Sequence, residues 1–129
     1  MKLISTFILM LTLFVLKTQA QMNSSSIISF SAESHDFGEV KQGDTLRFTF
    51  EFKNTGSSPL IIYEVNTPGV ITATWSQDPI GVGKTKEMPI LFIVKGKPGM
   101  QNKMITISSN ATNSPVKLSV KANVLPKND

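Results

Sequence analysis

The sequence predicts an all-β fold, an antiparallel β-sandwich of about seven strands. In "TLRFTFEFK", residues 45–53, apolar and polar side chains alternate strictly, which is typical of a strand with one buried and one solvated face. The same alternation recurs in "VKLSVKANV", residues 116–124. Turns rich in Gly, Pro and Asn separate such segments along roughly 100 residues, a spacing that favours an immunoglobulin-like arrangement.

The remaining strands follow from shorter patterns. They are predicted at 27–31, around 36–40, and in "LIIYEV", "ILFIV" and "KMITIS". The two continuous apolar runs indicate strands that are covered on both faces or meet a partner on the outer face. Pro89 lies inside the predicted strand 85–94 and cannot donate to a ladder, so we expect it on an edge strand or at a bulge.

The first 20 residues have the composition of a cleavable signal peptide. Lys2 precedes an apolar run from Leu3 to Leu16, which is shorter than the ~18–20 residues needed to span a bilayer, and small residues precede a cut after Ala20. We therefore expect a signal peptide at 1–20, a polar linker at 21–26 and a sandwich domain at 27–126. The product would be exported, to the periplasm or outside the cell, without a membrane span after processing.

Net charge and cysteine content further restrict the class of protein that the sequence fits. The full chain of 129 residues has a net charge of +4, and losing two lysines with the leader leaves 11 basic and nine acidic residues. A net charge of +2 does not indicate nucleic-acid binding. The sequence has no cysteine, so the exported domain must be stabilised by burial rather than by disulfides.

Several local motifs, in this order, resemble one known family. They include Asp36-Phe37-Gly38, Asn54-Thr55-Gly56, Pro59-Leu60 and Trp75. In this pattern the chain resembles the bacterial domain of unknown function 1573, over most of residues 30–124. The resemblance implies an exported, immunoglobulin-like domain, related to the hydin-type domains.

The loop before Trp75 departs from that family. Where the family usually carries Cys-Gly-Cys followed by threonine, this chain has Pro68, Gly69, Val70 and Ile71. Thiol chemistry is therefore excluded at this degenerate motif loop. We expect an ordinary turn, with Gly69 at a positive φ angle and Pro68 as its stiffening residue.

The inventory of reactive side chains is small, and the sequence predicts no enzyme, no cofactor and no metal site. His35 is the only histidine, and its neighbour Asp36 would point to the opposite face of a strand. Met100 and Met104 could share a strand face and hold Cu(I) with His35, although methionine is more often a gap filler. Trp75 could stack against a sugar, but packing in the core is favoured.

The interpretation that fits best is an exported, non-catalytic binding or structural module of the bacterial envelope that acts through protein–protein contacts. Its predicted contact strip consists of Leu91 and Ile93 next to Pro89, because alternation turns one side of this apolar run away from the core. Self-association through an edge strand is a second expectation. The alternative is a periplasmic ligand carrier, for copper through Met and His or for a glycan through an exposed aromatic side chain.

Overall fold

The computed structural model describes residues 24–127, which form two four-stranded β-sheets packed as a sandwich. Sheet 1 contains, in spatial order, β1 (Ile28–Phe30), β3 (Thr45–Asn54), β6 (Thr85–Ile93) and β5 (Ile71–Ala73). Sheet 2 contains β2 (Ser34–Lys41), β8 (Val116–Leu125), β7 (Gly99–Ser109) and β4 (Ile62–Asn66). The predicted signal peptide and the first part of the predicted linker lie outside the described residues. No helix in the described part is long and apolar enough to cross a membrane.

The predicted fold class is confirmed, with two differences. The structure has eight strands rather than about seven, because β5 is only three residues long and leaves no readable alternation. The sheets are also not purely antiparallel, since β2 pairs with β8 in parallel from Ser34↔Ser119 to Lys41↔Leu125. Parallel neighbours need a long connection instead of a hairpin, so the local sequence gives no sign of the pair.

The core is built from the inward rows that alternation predicts. Phe50 and Phe52 of β3 are buried, as is Phe92 of the neighbouring β6. On the opposite sheet, β7 and β8 contribute buried Ile, Leu and Val side chains. Burying one such side chain contributes roughly 1.5–3 kcal/mol, so these two rows supply much of the folding free energy.

The turn after β3 ties the start of the described chain to the sandwich. The Asn54 side chain is fully buried, donates to the carbonyl oxygens of Ser58 and Ile80, and accepts from the Gly56 nitrogen. Ser25 lies across this turn, where its carbonyl oxygen accepts from the Ser57 nitrogen at 2.7 Å. Backbone contacts of this kind place the end of the predicted polar linker inside the folded unit.

The next residue is held in the same way. Ser26 is buried, its hydroxyl donates to Asn110 Oδ1 at 2.9 Å, and its carbonyl oxygen accepts from the Thr112 nitrogen at 3.0 Å. The folded unit therefore begins before residue 27, the first residue of the predicted domain.

The edge strand β2 contains a bulge at the Asp36-Phe37-Gly38 motif. Its pairing register with β8 shifts between Asp36 and Glu39. Gly38 has a φ of 73°, which glycine adopts at little cost, and its nitrogen donates to Asp36 Oδ1 at 2.8 Å. The aspartate and the glycine of this motif therefore have a structural role.

Candidate docking surface

The outer face of β6 carries the predicted contact strip. Pro89, Leu91 and Ile93 alternate with buried Ile90 and Phe92, so the three side chains point away from the core. Leu91 is half-buried and Ile93 is 38% exposed. This orientation agrees with the expected alternation, and binding by the strip remains a prediction.

A shallow groove of about 410 Å³ lies along this face. The residues that line it come from three strands or their ends: Arg47, Phe48, Thr49, Thr72, Thr74, Pro89, Ile90 and Leu91. Arg47 and Thr72 both lie opposite Leu91 in the pairing register, one on each side. The groove thus has an apolar floor, threonine hydroxyls at its margins and a single guanidinium group as the only charge in its lining.

The expectation that Pro89 lies on an edge strand or at a bulge was wrong as to the strand, although β5 ends before Pro89 and leaves that side of β6 open there. Pro89 belongs to β6, a central strand, whose register with β3 is uninterrupted. Bonds from the Ile93 nitrogen to Val70 and from the Thr74 nitrogen to the Pro89 oxygen show that odd-numbered β6 residues face β5. The missing N–H of Pro89 therefore points to Thr74, just past the end of β5, so this pair keeps only the bond from the Thr74 nitrogen and costs the ladder one bond at its end.

The degenerate motif loop borders the strip. The Pro68 carbonyl oxygen accepts from the Ile71 nitrogen at 2.9 Å and closes a turn, and the Val70 carbonyl oxygen accepts from Ile93 at 2.9 Å. Gly69 does not have a positive φ angle, so that expectation was wrong too. The sequence does not show that this loop and the strip adjoin each other, because the β5–β6 pairing that brings them together leaves no sign in the local pattern.

The proposed copper ligands do not converge. His35 faces inward and stacks on Phe48, with ring centroids 3.8 Å apart and planes 15° apart. Met100 and Met104 are exposed on β7, on the outer face of sheet 2 with Asn102 between them. At a rise of about 3.3 Å per residue their Cα atoms are about 13 Å apart, which is unfavourable for sharing one ion. Among the described residues there is no group of three or more His, Cys, Asp or Glu that could hold a metal.

Trp75 is partly buried and packs against the core, as favoured from the sequence. Its indole Nε1 is buried and has no hydrogen-bond partner within residues 24–127. The indole ring thus lies partly in the core, which is unfavourable for stacking against a sugar. The aromatic side chain that is well exposed is Tyr63 of β4, at 65%.

Fold and surface together define a small β-sandwich domain with a solvent-facing apolar strip on one sheet. The chain belongs to the family described as "Protein of unknown function (DUF1573)", whose model matches residues 28–124. This confirms the family that the sequence motifs suggested. A search of curated protein sequences gives no significant match.

Solved structures with the same fold come from several sources. A protein of unknown function from Porphyromonas gingivalis W83 is 20% identical, with a TM-score of 0.67 over 81% of this chain and 50% of its own. PapD-like domain 7 of human CEP192 is 9% identical, with a TM-score of 0.65 over 84% and 93%. The secreted serine protease VesC from Vibrio cholerae is 13% identical, with a TM-score of 0.61 over 80% and 24%. This chain thus spans half the length of the P. gingivalis protein, and these likenesses show the fold alone.

Proposed function

We propose that this protein is an exported, non-catalytic binding module of the bacterial envelope, which holds a partner protein against the outer face of sheet 1. The observation that carries the proposal is the strip of Pro89, Leu91 and Ile93, which presents apolar side chains to solvent in the middle of a sheet. Outer faces of antiparallel sheets normally carry polar side chains, and a contiguous apolar group there is a feature of contact surfaces.

The chemistry of the groove defines the partner. An apolar side chain of the partner would contact Leu91, and an acidic group would face Arg47, the cation in the lining. The threonine hydroxyls of Thr49 and Thr72 can donate to or accept from a backbone laid across the face. The expected occupant is therefore a protein segment that combines apolar and acidic residues.

The placement of the reactive side chains supports a role without catalysis. His35 packs between two phenylalanine rings, Phe37 and Phe48, and within residues 24–127 no hydrogen bond joins its ring to a carboxylate that could orient it for proton transfer. The wide separation of Met100 and Met104 argues against a copper carrier, and the partly buried Trp75 argues against a sugar platform. The occurrence of the fold as about a quarter of a secreted protease is in keeping with an accessory role.

Site-specific photocrosslinking in the native cell tests the proposal directly. A benzophenone amino acid at position 93 should give a discrete adduct with one envelope protein, and the same residue at position 104, on the opposite sheet, should not. The adduct identifies the partner by mass spectrometry. Binding of the purified partner should then fall at least tenfold in the Leu91→Asp/Ile93→Asp variant, because the contact would have to bury carboxylates.

The matched control is Met100→Asp/Met104→Asp, which places the same charges on exposed apolar positions of sheet 2. This variant should bind the partner normally. If both double variants bind like the parent protein, or if position 93 gives no adduct in cells, the outer face of sheet 1 is not the docking surface.

A further inference from the structure

Three of the exposed strand edges in the described residues carry features that discourage pairing with another strand. The edge strands β2 and β4 both have register shifts, after Asp36 and after Ile62. On sheet 1, β6 continues beyond the short β5, and Pro89 removes a donor there. Bulges and prolines are the usual means by which proteins block edge-to-edge association.

The part of β3 that extends beyond β1 forms another open edge, and it has no such protection. The strand β1 ends at Phe30, and its last bond to β3 runs from the Ser31 nitrogen to the Glu51 oxygen. Even-numbered residues of β3 bond to β6, as the bond from the Asn54 nitrogen to the Lys84 oxygen shows. The N–H and C=O groups of Thr45, Arg47 and Thr49 therefore point outward along an open edge. Within residues 24–127 they have no hydrogen-bond partner, and this part of β3 has no bulge or proline.

We propose that this open edge pairs with the same edge of a second copy of the chain, antiparallel and with Phe48 opposite Phe48. In that register Arg47 of each copy faces Thr49 of the other, and each such pair exchanges both backbone N–H···O bonds. Sheet 1 of one copy and sheet 1 of the other then form one continuous sheet, and the two copies are related by a two-fold axis. The contact lies beside the face described above and does not depend on a partner docking there.

The side chains favour this register. On the inner side the two Phe48 rings, half-buried in the single chain, become cross-strand neighbours. On the outer side the diagonal neighbours of Arg47 are Glu51 and Arg47 of the second copy, so each guanidinium group is within reach of a carboxylate that offsets the repulsion between the two arginines. Glu51 also lies directly opposite Glu87 within its own sheet, an unfavourable like-charge pair that an added guanidinium group would offset.

Neighbouring registers fit less well. A shift that centres the axis on Arg47 would place the two guanidinium groups opposite each other. A shift in the other direction would centre it on Thr49 and place Arg47 opposite Glu51, whose oxygen already accepts from Ser31, whereas in the proposed register that position falls opposite Thr45, at the end of the contact. The free backbone groups of Arg47 and Thr49 and the greater separation of the two guanidinium groups thus favour the pairing centred on Phe48.

Sedimentation equilibrium of the purified exported protein tests the proposal, after expression with its own leader and with intact mass fixing its first residue. We expect a monomer–dimer equilibrium within the range of about 1–500 µM. Arg47→Glu and Glu51→Arg should each weaken dimerisation about tenfold or more, because either change turns the two symmetry-related Arg47–Glu51 pairs between the copies into like-charge pairs. The double variant Arg47→Glu/Glu51→Arg should restore it, while Lys53→Glu, on the same face but beside the paired β1, should have no effect.

Two variants at position 47 distinguish the contribution of the backbone hydrogen bonds to dimerisation from the contribution of the side-chain charge. Arg47→Pro removes an N–H that bonds nothing in the described residues, so the domain should stay folded by circular dichroism while the dimer is lost. Arg47→Ala keeps the N–H and should retain a weaker dimer. A protein that stays monomeric up to 500 µM overturns the proposal, as does a dimer that survives Arg47→Pro. Leu91→Asp/Ile93→Asp should leave the dimer intact, so failure of the docking face and failure of this edge can be told apart.

Discussion

Two glycine-containing turns, 54–58 and 67–71, differ sharply in what the structure demands of them. At Gly56 an ideal Cβ would lie 2.6 Å from the Ile27 nitrogen and 2.7 Å from Ser26 Cα, and closer still to the Ser25 oxygen. At Gly69 a Cβ would have nothing within 4 Å. The first turn is in close contact with the segment that precedes β1, whereas the second lies open beside β6.

The difference lies in what each turn holds. Asn54 satisfies three backbone groups, and Gly56 admits the segment from Ser25 to Ile27. The loop at 67–71 contains no cysteine and closes by one backbone bond from the Ile71 nitrogen to the Pro68 oxygen. Packing therefore restricts the residue types at the first turn much more than at the second.

The largest expected effect is that of Gly56→Ala. The methyl group would overlap backbone atoms, which cannot rotate away as a side chain can, so the N-terminal segment must separate from the turn. We expect a loss of about 3 kcal/mol or more in the free energy of unfolding, measured by urea denaturation.

Removal of residues up to Ile27 tests whether the close approach of this segment to Gly56 causes the effect of Gly56→Ala. A chain that begins at Ile28 lacks the atoms that Gly56 approaches, so Gly56→Ala should cost much less in that background than in a chain that retains residues 25–27. A double-mutant cycle between truncation and substitution should give a coupling energy of about 2 kcal/mol. Additive effects would show that the close approach is not the cause.

A second, smaller effect is expected for Asn54→Ala. The substitution leaves the Ser58 oxygen and the Gly56 nitrogen without the bonds that the amide supplied, and the Ile80 oxygen keeps only its bond from the Leu60 nitrogen, so we expect a loss of about 2–3 kcal/mol. Asn66→Ala, at an exposed position at the end of β4, should change the free energy of unfolding by less than about 0.5 kcal/mol. Equal losses at the two positions would contradict the role given to Asn54.

How far the sequence could predict this molecule depends on how local each feature is. The inward row of β3 and the outward strip of β6 follow from alternation, because the side-chain direction in a strand depends only on parity. The β5–β6 pairing, the parallel β2–β8 pair and the anchoring of Ser25 join residues that are distant in the chain. Pro89 was misplaced for the same reason, since its tolerance depends on where a neighbouring strand ends.

The smallest expected effect is that of Gly69→Ala, the counterpart of the first prediction. Its φ is not positive and the space around it is open, so alanine should fit without strain. Because alanine restricts the unfolded chain more than glycine does, the free energy of unfolding should stay the same or rise by up to about 1 kcal/mol. Urea denaturation in parallel with Gly56→Ala makes the pair a matched test, since the same methyl group is added to a glycine in each turn. A loss of more than about 1 kcal/mol at Gly69 would mean that this turn, too, is held by contacts, and the contrast between the two turns would fail.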